Sequence, residues 1–189
     1  MGSVAARAIV LLASTGLIWA VSLYGILMDP GMLYDLALLP RRADGLPGVI
    51  GMPFVHRSWA HLLANSGPLL VLGALVLFRG VRYYLAVTAT IVLVGGIGVW
   101  LLGRDAAHIG SSGLVFGFAA FLVVRGLYER RPGSTVIALL VFIFYGSLIW
   151  GVVPQGDGTS WEAHLFGLLA GMVAARAAVA LEAPPGHDP

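Results

Sequence analysis

The sequence predicts an all-α polytopic membrane protein, a single bundle of six transmembrane helices. Of its 189 residues, 59% are hydrophobic and only 11% are charged, and the mean hydropathy is +0.92. A soluble domain carries about 25% charged residues, so this chain has too little charge to cover a water-exposed surface. Six apolar stretches each have the length of about 20 residues that crosses a bilayer. The composition excludes a soluble globular protein, a nucleic-acid binder and a disordered chain.

Five of the six predicted spans are free of charged residues, and the sixth contains Glu162 near its start and one arginine. The spans cover residues 8–28, 58–78, 83–103, 106–124, 134–153 and 161–181. Arg176 interrupts the last span, but it follows His164 by about 18 Å of helix and can extend to the far interface. The first span exceeds the roughly 7–15 apolar residues of a signal peptide, and we interpret it as a retained helix.

One domain, residues 1–189, accounts for the whole chain. Its loops are short except for residues 29–57, which contain four prolines, four glycines and an apolar stretch at 32–39. This loop is too short and too broken to cross a bilayer, so we expect it to lie in the outer membrane interface. Residues 182–189 are rich in proline and are expected to form a flexible tail.

The arginines predict the orientation of the bundle. All eleven basic residues are arginines. If both termini lie in the cytoplasm, seven of these arginines lie on the cytoplasmic side and four on the outer side, as the positive-inside rule favours. Four tryptophans then fall at outer helix ends, where an interfacial aromatic belt is expected: Trp59, Trp100, Trp150 and Trp161. We therefore expect cytoplasmic termini. A composition rich in alanine, glycine and leucine, with arginine as the only basic residue, favours a bacterial plasma membrane, and an organelle membrane is the alternative. Because the chain has no cysteine, disulfides and thiolate chemistry are excluded.

Polar side chains gather near one end of the predicted spans. They lie near the starts of the second, fourth and sixth helices, which all enter from the outer side: His61 and Asn65, Ser111 and Ser112, and His164. Polar groups inside a bilayer are costly and typically functional. The four-residue spacing of His61 and Asn65 places both on one helix face, where two donors can point at one atom. Hydrogen bonding between helices is the alternative interpretation of this pair.

Small residues surround both candidate catalytic side chains. Residues 110–113 read Gly-Ser-Ser-Gly, which leaves room for a substrate backbone and opens a helix whose N–H groups suit an oxyanion. Around His164 small residues recur every four positions: Ala163, Gly167, Gly171 and Ala175. Plain helix packing is the alternative for both patterns. We predict that the fourth and sixth helices pack closely and bring Ser112 within hydrogen-bond range of His164, as activation of a serine requires.

Taken together, these residues resemble the rhomboid family of intramembrane serine proteases. The resemblance covers almost all of the chain: six helices, a long first loop and three motifs in the family's order. The motifs are His56-x4-His61-x3-Asn65, Gly110-Ser111-Ser112-Gly113 and Ala163-His164-x2-Gly167-x3-Gly171. Each motif alone is weak evidence, whereas their joint occurrence at these spacings is specific.

The resemblance implies an endopeptidase that cuts transmembrane segments, with single-span membrane proteins as substrates and with no metal or cofactor. Ser112 would be the nucleophile, and His164 would be the general base and then the general acid. The side chains of His61 and Asn65, with the Ser112 backbone N–H, would form the oxyanion hole. The site would open toward the outer face beneath a lid at residues 154–160.

The resemblance also suggests supporting residues. His56 is expected to brace the first loop, and Gly110 belongs to the nucleophile motif. Phe116 stands where many members carry a tyrosine that stacks on the catalytic histidine, so the stacking surface is kept, the hydroxyl is lost and looser support of His164 is expected. Glu162 would complete a triad, but its spacing of two residues from His164 directs it to another face. The first loop also lacks the Trp-Arg pair of many members, which leaves its anchoring unpredicted.

Three other functions are consistent with parts of the sequence. A catalytically silent member that binds transmembrane clients would normally lack the serine or the histidine, and both are present. A zinc protease lacks its His-Glu-x2-His motif here, although four histidines fall on the outer side: His56, His61, His108 and His164. A channel or transporter needs polar residues through the full membrane depth, whereas the first, third and fifth helices have no charge between their ends. We adopt the protease as the leading hypothesis.

Overall fold

The structure, a computed structural model, describes residues 3–129, 131–156 and 158–182 and confirms the predicted all-α bundle. Six helices are long and apolar enough to cross a membrane: α1 (Val4–Leu27), α2 (Trp59–Leu77), α3 (Val81–Leu102), α4 (Ser112–Glu129), α5 (Pro132–Val152) and α6 (Trp161–Glu182). The predicted tail at 182–189 lies outside the described residues beyond Glu182, which is helical. The predicted lid at 154–160 is described except for Asp157.

The fourth helix differs from the predicted span 106–124, because it begins at Ser112 and continues through Arg125. The loop before it is held in an extended conformation, since His108 and Leu38 exchange two backbone hydrogen bonds of 3.0 Å each. The prediction ended the span at Arg125 because charge is costly in a membrane. That arginine is instead buried within the helix and neutralised by carboxylates.

Two of the spanning helices are irregular. The helix α3 has a π-helical turn between two α-helical segments, and α5 ends in a 3₁₀ segment: Val81–Thr90, Ile91–Gly95 and Gly96–Leu102 in α3, then Pro132–Tyr145 and Gly146–Val152 in α5. Such segments leave the regular hydrogen-bond pattern and are frequent at helix ends and functional sites. The 3₁₀ end of α5 presents the carbonyl of Gly151 to α6.

The bundle is built around α4. In its most apolar stretch 61% of the residues are buried, against 11–39% in the other five helices. Its backbone touches that of α6 through glycines: a Cβ on Gly167 would lie 2.2 Å from the carbonyl oxygen of Gly113, and one on Gly171 would lie 2.1 Å from that of Gly117. No residue larger than glycine fits at either position without separating the two helices.

A partly buried ion cluster joins the helices at the end of α4 that lies away from Ser112. Nη2 of Arg125 lies 2.6 Å from Oε1 of Glu129 and 2.7 Å from Oε2 of Glu182 on α6. Glu129 also accepts from the Ser134 hydroxyl on α5, at 2.5 Å, and from Arg79, which follows α2. A charge buried in a bilayer is tolerated only when it is paired, so this cluster requires four helices to be in place.

The first loop folds against the bundle in short helical turns rather than as a free strap. The turns are Met32–Asp35, Ala43–Gly45, Gly48–Gly51 and Met52–Phe54. Leu38, between the first two turns, is fully buried and pairs with His108 as described above. The loop is therefore anchored by packing and backbone hydrogen bonds.

His56 ties the end of this loop to α1 and to the start of α4. Its Nε2 accepts from the backbone N–H of Ser111 at 3.2 Å, so the proton of the neutral ring lies on Nδ1, which donates to the Ser22 hydroxyl at 2.8 Å. That hydroxyl in turn donates to the carbonyl of Phe54 at 2.8 Å. The ring is fully buried, and this burial lowers the pKa of His56 to about 3.

Replacing Gly171 with alanine is expected to destabilise the bundle, because the new Cβ would meet the backbone of α4. Overpacking of this kind costs about 1–3 kcal/mol, or several degrees in Tm, measurable by thermal unfolding in detergent. Gly16→Ala is the matched control, since no atom lies within 4 Å of a Cβ placed there. Equal melting temperatures for the two variants would contradict the close contact between α4 and α6.

The stability of the protein is expected to fall as the pH decreases from about 6.5 toward 3. In the unfolded chain His56 binds a proton with the ordinary pKa of about 6.5. In the folded protein the same ring binds a proton only near pH 3. The free energy of unfolding therefore loses about 1.4 kcal/mol per pH unit in this interval. His56→Gln keeps a donor and an acceptor but cannot titrate, so its Tm should start lower and fall less steeply. Parallel pH profiles of Tm would refute this origin.

Candidate active site

Ser112 and His164 meet at the contact between α4 and α6. Ser112 is the first residue of α4, and His164 lies in the first turn of α6. The Ser112 Oγ lies 2.8 Å from the Nε2 of His164, and both side chains are buried. The glycine contact one turn further along α6 sets this separation, because it fixes the distance between the two helix axes.

The carbonyl of Gly151 fixes the tautomer of His164. Nδ1 of the ring lies 2.8 Å from this oxygen, and a carbonyl oxygen can only accept, so Nδ1 carries the proton of the neutral ring. Nε2 is then free to accept the hydroxyl proton of Ser112. A backbone carbonyl thus occupies the place that a carboxylate holds in a Ser-His-Asp triad.

Phe116 supports the face of the His164 ring. The two rings are stacked, with 4.1 Å between their centroids and 7° between their planes. Gly151 completes this support, because a Cβ there would lie 2.6 Å from Cζ of Phe116 and 3.2 Å from Nδ1 of His164. Sequence reasoning did not identify Gly151, and its only signal was a glycine at the end of the fifth span.

His61 and Asn65 face the same space from α2. The Ser58 hydroxyl caps this helix and accepts from the backbone N–H of His61 at 3.2 Å, which fixes the helix start. Nδ1 of His61 is buried and has no hydrogen-bond partner among the described residues. Nδ2 of Asn65 donates one proton to the His61 carbonyl at 3.0 Å, and its second proton is available to a bound group.

The glycines of the nucleophile motif serve contacts within the protein, and their role in substrate clearance stays a prediction. Gly110 has a φ of +108°, and a Cβ there would lie 2.7 Å from Cε1 of His61. Only glycine combines this backbone conformation with room for the imidazole. A Cβ on Gly113 would lie 3.1 Å from the carbonyl oxygen of Ala163 on α6, so this residue belongs to the contact between helices.

These side chains surround an open cavity of about 400 Å³. Polar groups of α2, α4 and α6 form one wall, and the end of α5 with the following loop forms another: His61, Asn65, Ser112, Phe116, Trp150, Gln155 and His164. The volume holds several water molecules or a short stretch of peptide. The cavity also includes Arg57, which sequence reasoning did not select.

Three other candidates lie outside this cavity. His56 lies behind His61, with 4.9 Å between the ring centroids. His108 bonds the Arg104 carbonyl and the Ser160 hydroxyl, and burial lowers the pKa of its ring. Glu162 is buried and pairs with Arg104 at 3.4 Å, on a helix face other than that of His164. Within the described ranges, no three histidine or carboxylate side chains converge as metal ligands.

Comparison with known proteins identifies the family. A family model described as the Rhomboid domain matches residues 45–180. Uncharacterised proteins of Mycobacterium tuberculosis and Mycobacterium bovis are each 46% identical to this chain over 145 residues, which are 72% of this chain and 60% of theirs. An uncharacterised protein of Mycobacterium leprae is 42% identical over 143 residues, which are 71% of this chain and 57% of its own length.

The chain thus spans about 60% of the length of the curated relatives that it matches. The family match includes α2 to α5 and nearly all of α6, and so it includes the cavity and the residues around it. Together with six helices that can cross a membrane, this match shows that the chain is an integral membrane protein and belongs to the rhomboid family.

Proposed function

We propose that the protein is an intramembrane serine endopeptidase that cuts transmembrane segments of single-span membrane proteins. The observation that carries the proposal is the 2.8 Å distance between the Ser112 Oγ and the His164 Nε2, with the other ring nitrogen held by a carbonyl. In this arrangement the histidine can only accept from the serine. A catalytically silent client binder is the alternative, and an intact Ser-His pair disfavours it.

In the first step, Ser112 Oγ attacks the carbonyl carbon of the scissile peptide bond while its proton passes to Nε2 of His164. The tetrahedral intermediate carries a negative charge on the former carbonyl oxygen. Three donors suit that charge: the side chains of His61 and Asn65 and the backbone N–H of Ser112. As the first residue of α4, Ser112 has an N–H without an intrahelical acceptor.

The intermediate then collapses, the C–N bond breaks, and Nε2 of His164 returns the proton to the leaving amine. An acyl group remains on Ser112. A water molecule from the cavity attacks this ester while one of its protons moves to Nε2. The C–O bond then breaks, and Nε2 returns the proton to Oγ, which restores the hydroxyl. The positive imidazolium formed in each half-reaction faces the Gly151 carbonyl, whose dipole stabilises it.

The cavity provides water where lipid excludes it. It lies at the end of the bundle from which α2, α4 and α6 start, and we place that end at the outer face of a bacterial plasma membrane. A substrate helix must unwind locally to expose a carbonyl, because its backbone is already hydrogen-bonded. The loop that contains Gly156 and Gly158, both with positive φ, is the segment proposed to open as a lid.

Removal of either member of the pair is expected to abolish cleavage. Ser112→Ala and His164→Ala should each lower kcat at least about 10⁴-fold, measured with a purified single-span substrate in liposomes. Ser147→Ala is the control, because it removes another hydroxyl of the cavity wall and should leave cleavage intact.

A fluorophosphonate probe should label the wild type and Ser147→Ala but not Ser112→Ala. Cleavage that persists in Ser112→Ala would overturn the proposal, and capture without turnover by the wild type would favour the client binder.

Asn65→Ala is expected to reduce kcat by about 10²–10³ with a small change in KM, because the amide acts mainly on the charge of the intermediate. Ser66→Ala is a neighbouring control, since its hydroxyl bonds the Leu62 carbonyl within α2 and Trp19 of α1. Steady-state kinetics on the same substrate separates the two parameters. An effect confined to KM would assign Asn65 to substrate binding instead.

A further inference from the structure

Four arginines lie at the same end of the bundle as the cavity, and three of them are committed to partners within the protein. Arg41 donates to a backbone carbonyl at 2.6 Å, and Arg42 pairs with Asp44 at 2.5 Å. Arg104 lies 3.4 Å from the buried Glu162 and also donates to a carbonyl at 2.7 Å. The guanidinium groups of these three arginines therefore already bond backbone carbonyls or carboxylates of the protein.

Arg57, the fourth arginine, is in a different position. It is exposed, it lies just before α2 and it lines the catalytic cavity together with His61 and Asn65. Its Nη1 reaches the loop across the cavity, where it would lie 3.4 Å from a Cβ on Gly158. Among the described residues, no carboxylate lies within ion-pair distance of Arg57, and no other formally charged side chain lines the cavity.

We propose that Arg57 is a specificity-determining residue that selects substrates with a carboxylate side chain near the cut site. This inference rests on the proposed protease function. The carboxylate would lie on the part of the substrate that leaves the membrane at the face where the cavity opens. A guanidinium binds a carboxylate through two parallel hydrogen bonds, and at a membrane boundary the attraction is less screened than in bulk water.

The phosphate of an anionic lipid has similar chemistry and is the other possible source of negative charge. The position of Arg57 favours the substrate, because the side chain lines the cavity that holds Ser112 rather than a groove between helices. A substrate segment bound in this cavity would therefore lie near the cation as well as the hydroxyl. A carboxylate at the right register thus adds binding energy, and a cationic residue there would be repelled.

The test uses purified protein in liposomes and one single-span substrate in three versions, with Glu, Gln or Lys placed in turn at each outer residue near the cut site. For the wild type, kcat/KM at one position should be about tenfold higher with Glu than with Gln, and lower still with Lys. The ratio of kcat/KM for the Glu substrate to that for the Gln substrate should approach one in Arg57→Gln. The Arg57→Glu variant should cleave the Lys substrate with the highest kcat/KM of the three. Arg42→Gln is the control, and its ratio should match that of the wild type.

Several results would overturn the inference. One is a preference for Glu that is equal in the wild type and Arg57→Gln. Another is a preference that is absent from the wild type and emerges only in Asp157→Asn, which would mean that the chain's own carboxylate occupies Arg57. A third is an Arg57 effect that follows the content of anionic lipid in the liposomes and ignores the substrate's charge.

Failure of the proposed function would be recognised separately, because the wild type would then cleave none of the three substrates. Binding still tests the inference in that case. Fluorescently labelled Glu and Gln peptides are titrated with Ser112→Ala and with the Ser112→Ala, Arg57→Gln double variant. The Glu peptide should bind to Ser112→Ala about tenfold more tightly than the Gln peptide does, and the two peptides should bind to the double variant with equal affinity. Equal affinities of the Glu and Gln peptides for Ser112→Ala would overturn the inference.

Discussion

The backbone contact between α4 and α6 is the constraint on which the site depends. A bilayer supplies little hydrophobic drive for helix association, so dispersion and weak Cα–H···O contacts between closely packed backbones must hold the helices together. Gly167 against Gly113 and Gly171 against Gly117 permit that approach. Since Ser112 and His164 occur at the starts of the same two helices, their separation is fixed by the glycines rather than by flexible loops.

The Ser-His pair is held by a neutral group rather than by a carboxylate, which suits its surroundings. The carbonyl of Gly151 orients His164 without bringing a carboxylate into the membrane, where an unpaired charge would be costly. In the proposed reaction, charge would arise on the intermediate and on the imidazole, where the oxyanion donors and the Gly151 carbonyl dipole would stabilise it. Because this carbonyl belongs to the 3₁₀ end of α5, that helix end is as much a part of the catalytic arrangement as α4 and α6.

Much of this arrangement was predictable from the sequence. The apolar stretches predicted the six spans. The motifs predicted the pairing of Ser112 with His164, and the Ser112 Oγ lies 2.8 Å from the His164 Nε2 in the structure. The role of Gly151 was not predictable, because any residue offers a carbonyl and the requirement for glycine arises from neighbours distant in sequence. The contact between Gly110 and the His61 imidazole was not predictable either, because the two residues are distant in sequence. Both ends of α4 were misplaced, because a run of uncharged residues reveals neither the extended loop before Ser112 nor a paired arginine inside the helix.

The ion cluster at the other end of α4 has a consequence for biosynthesis. Arg125 is buried, and one of its two carboxylates, Glu182, arrives only with α6. The same helix brings the imidazole to the serine hydroxyl. An insertion intermediate with five helices would therefore hold an incompletely compensated arginine and an unactivated hydroxyl. Docking of α6 completes both ends together, so the nascent chain would gain the ability to cut its neighbours only when the bundle is fully assembled.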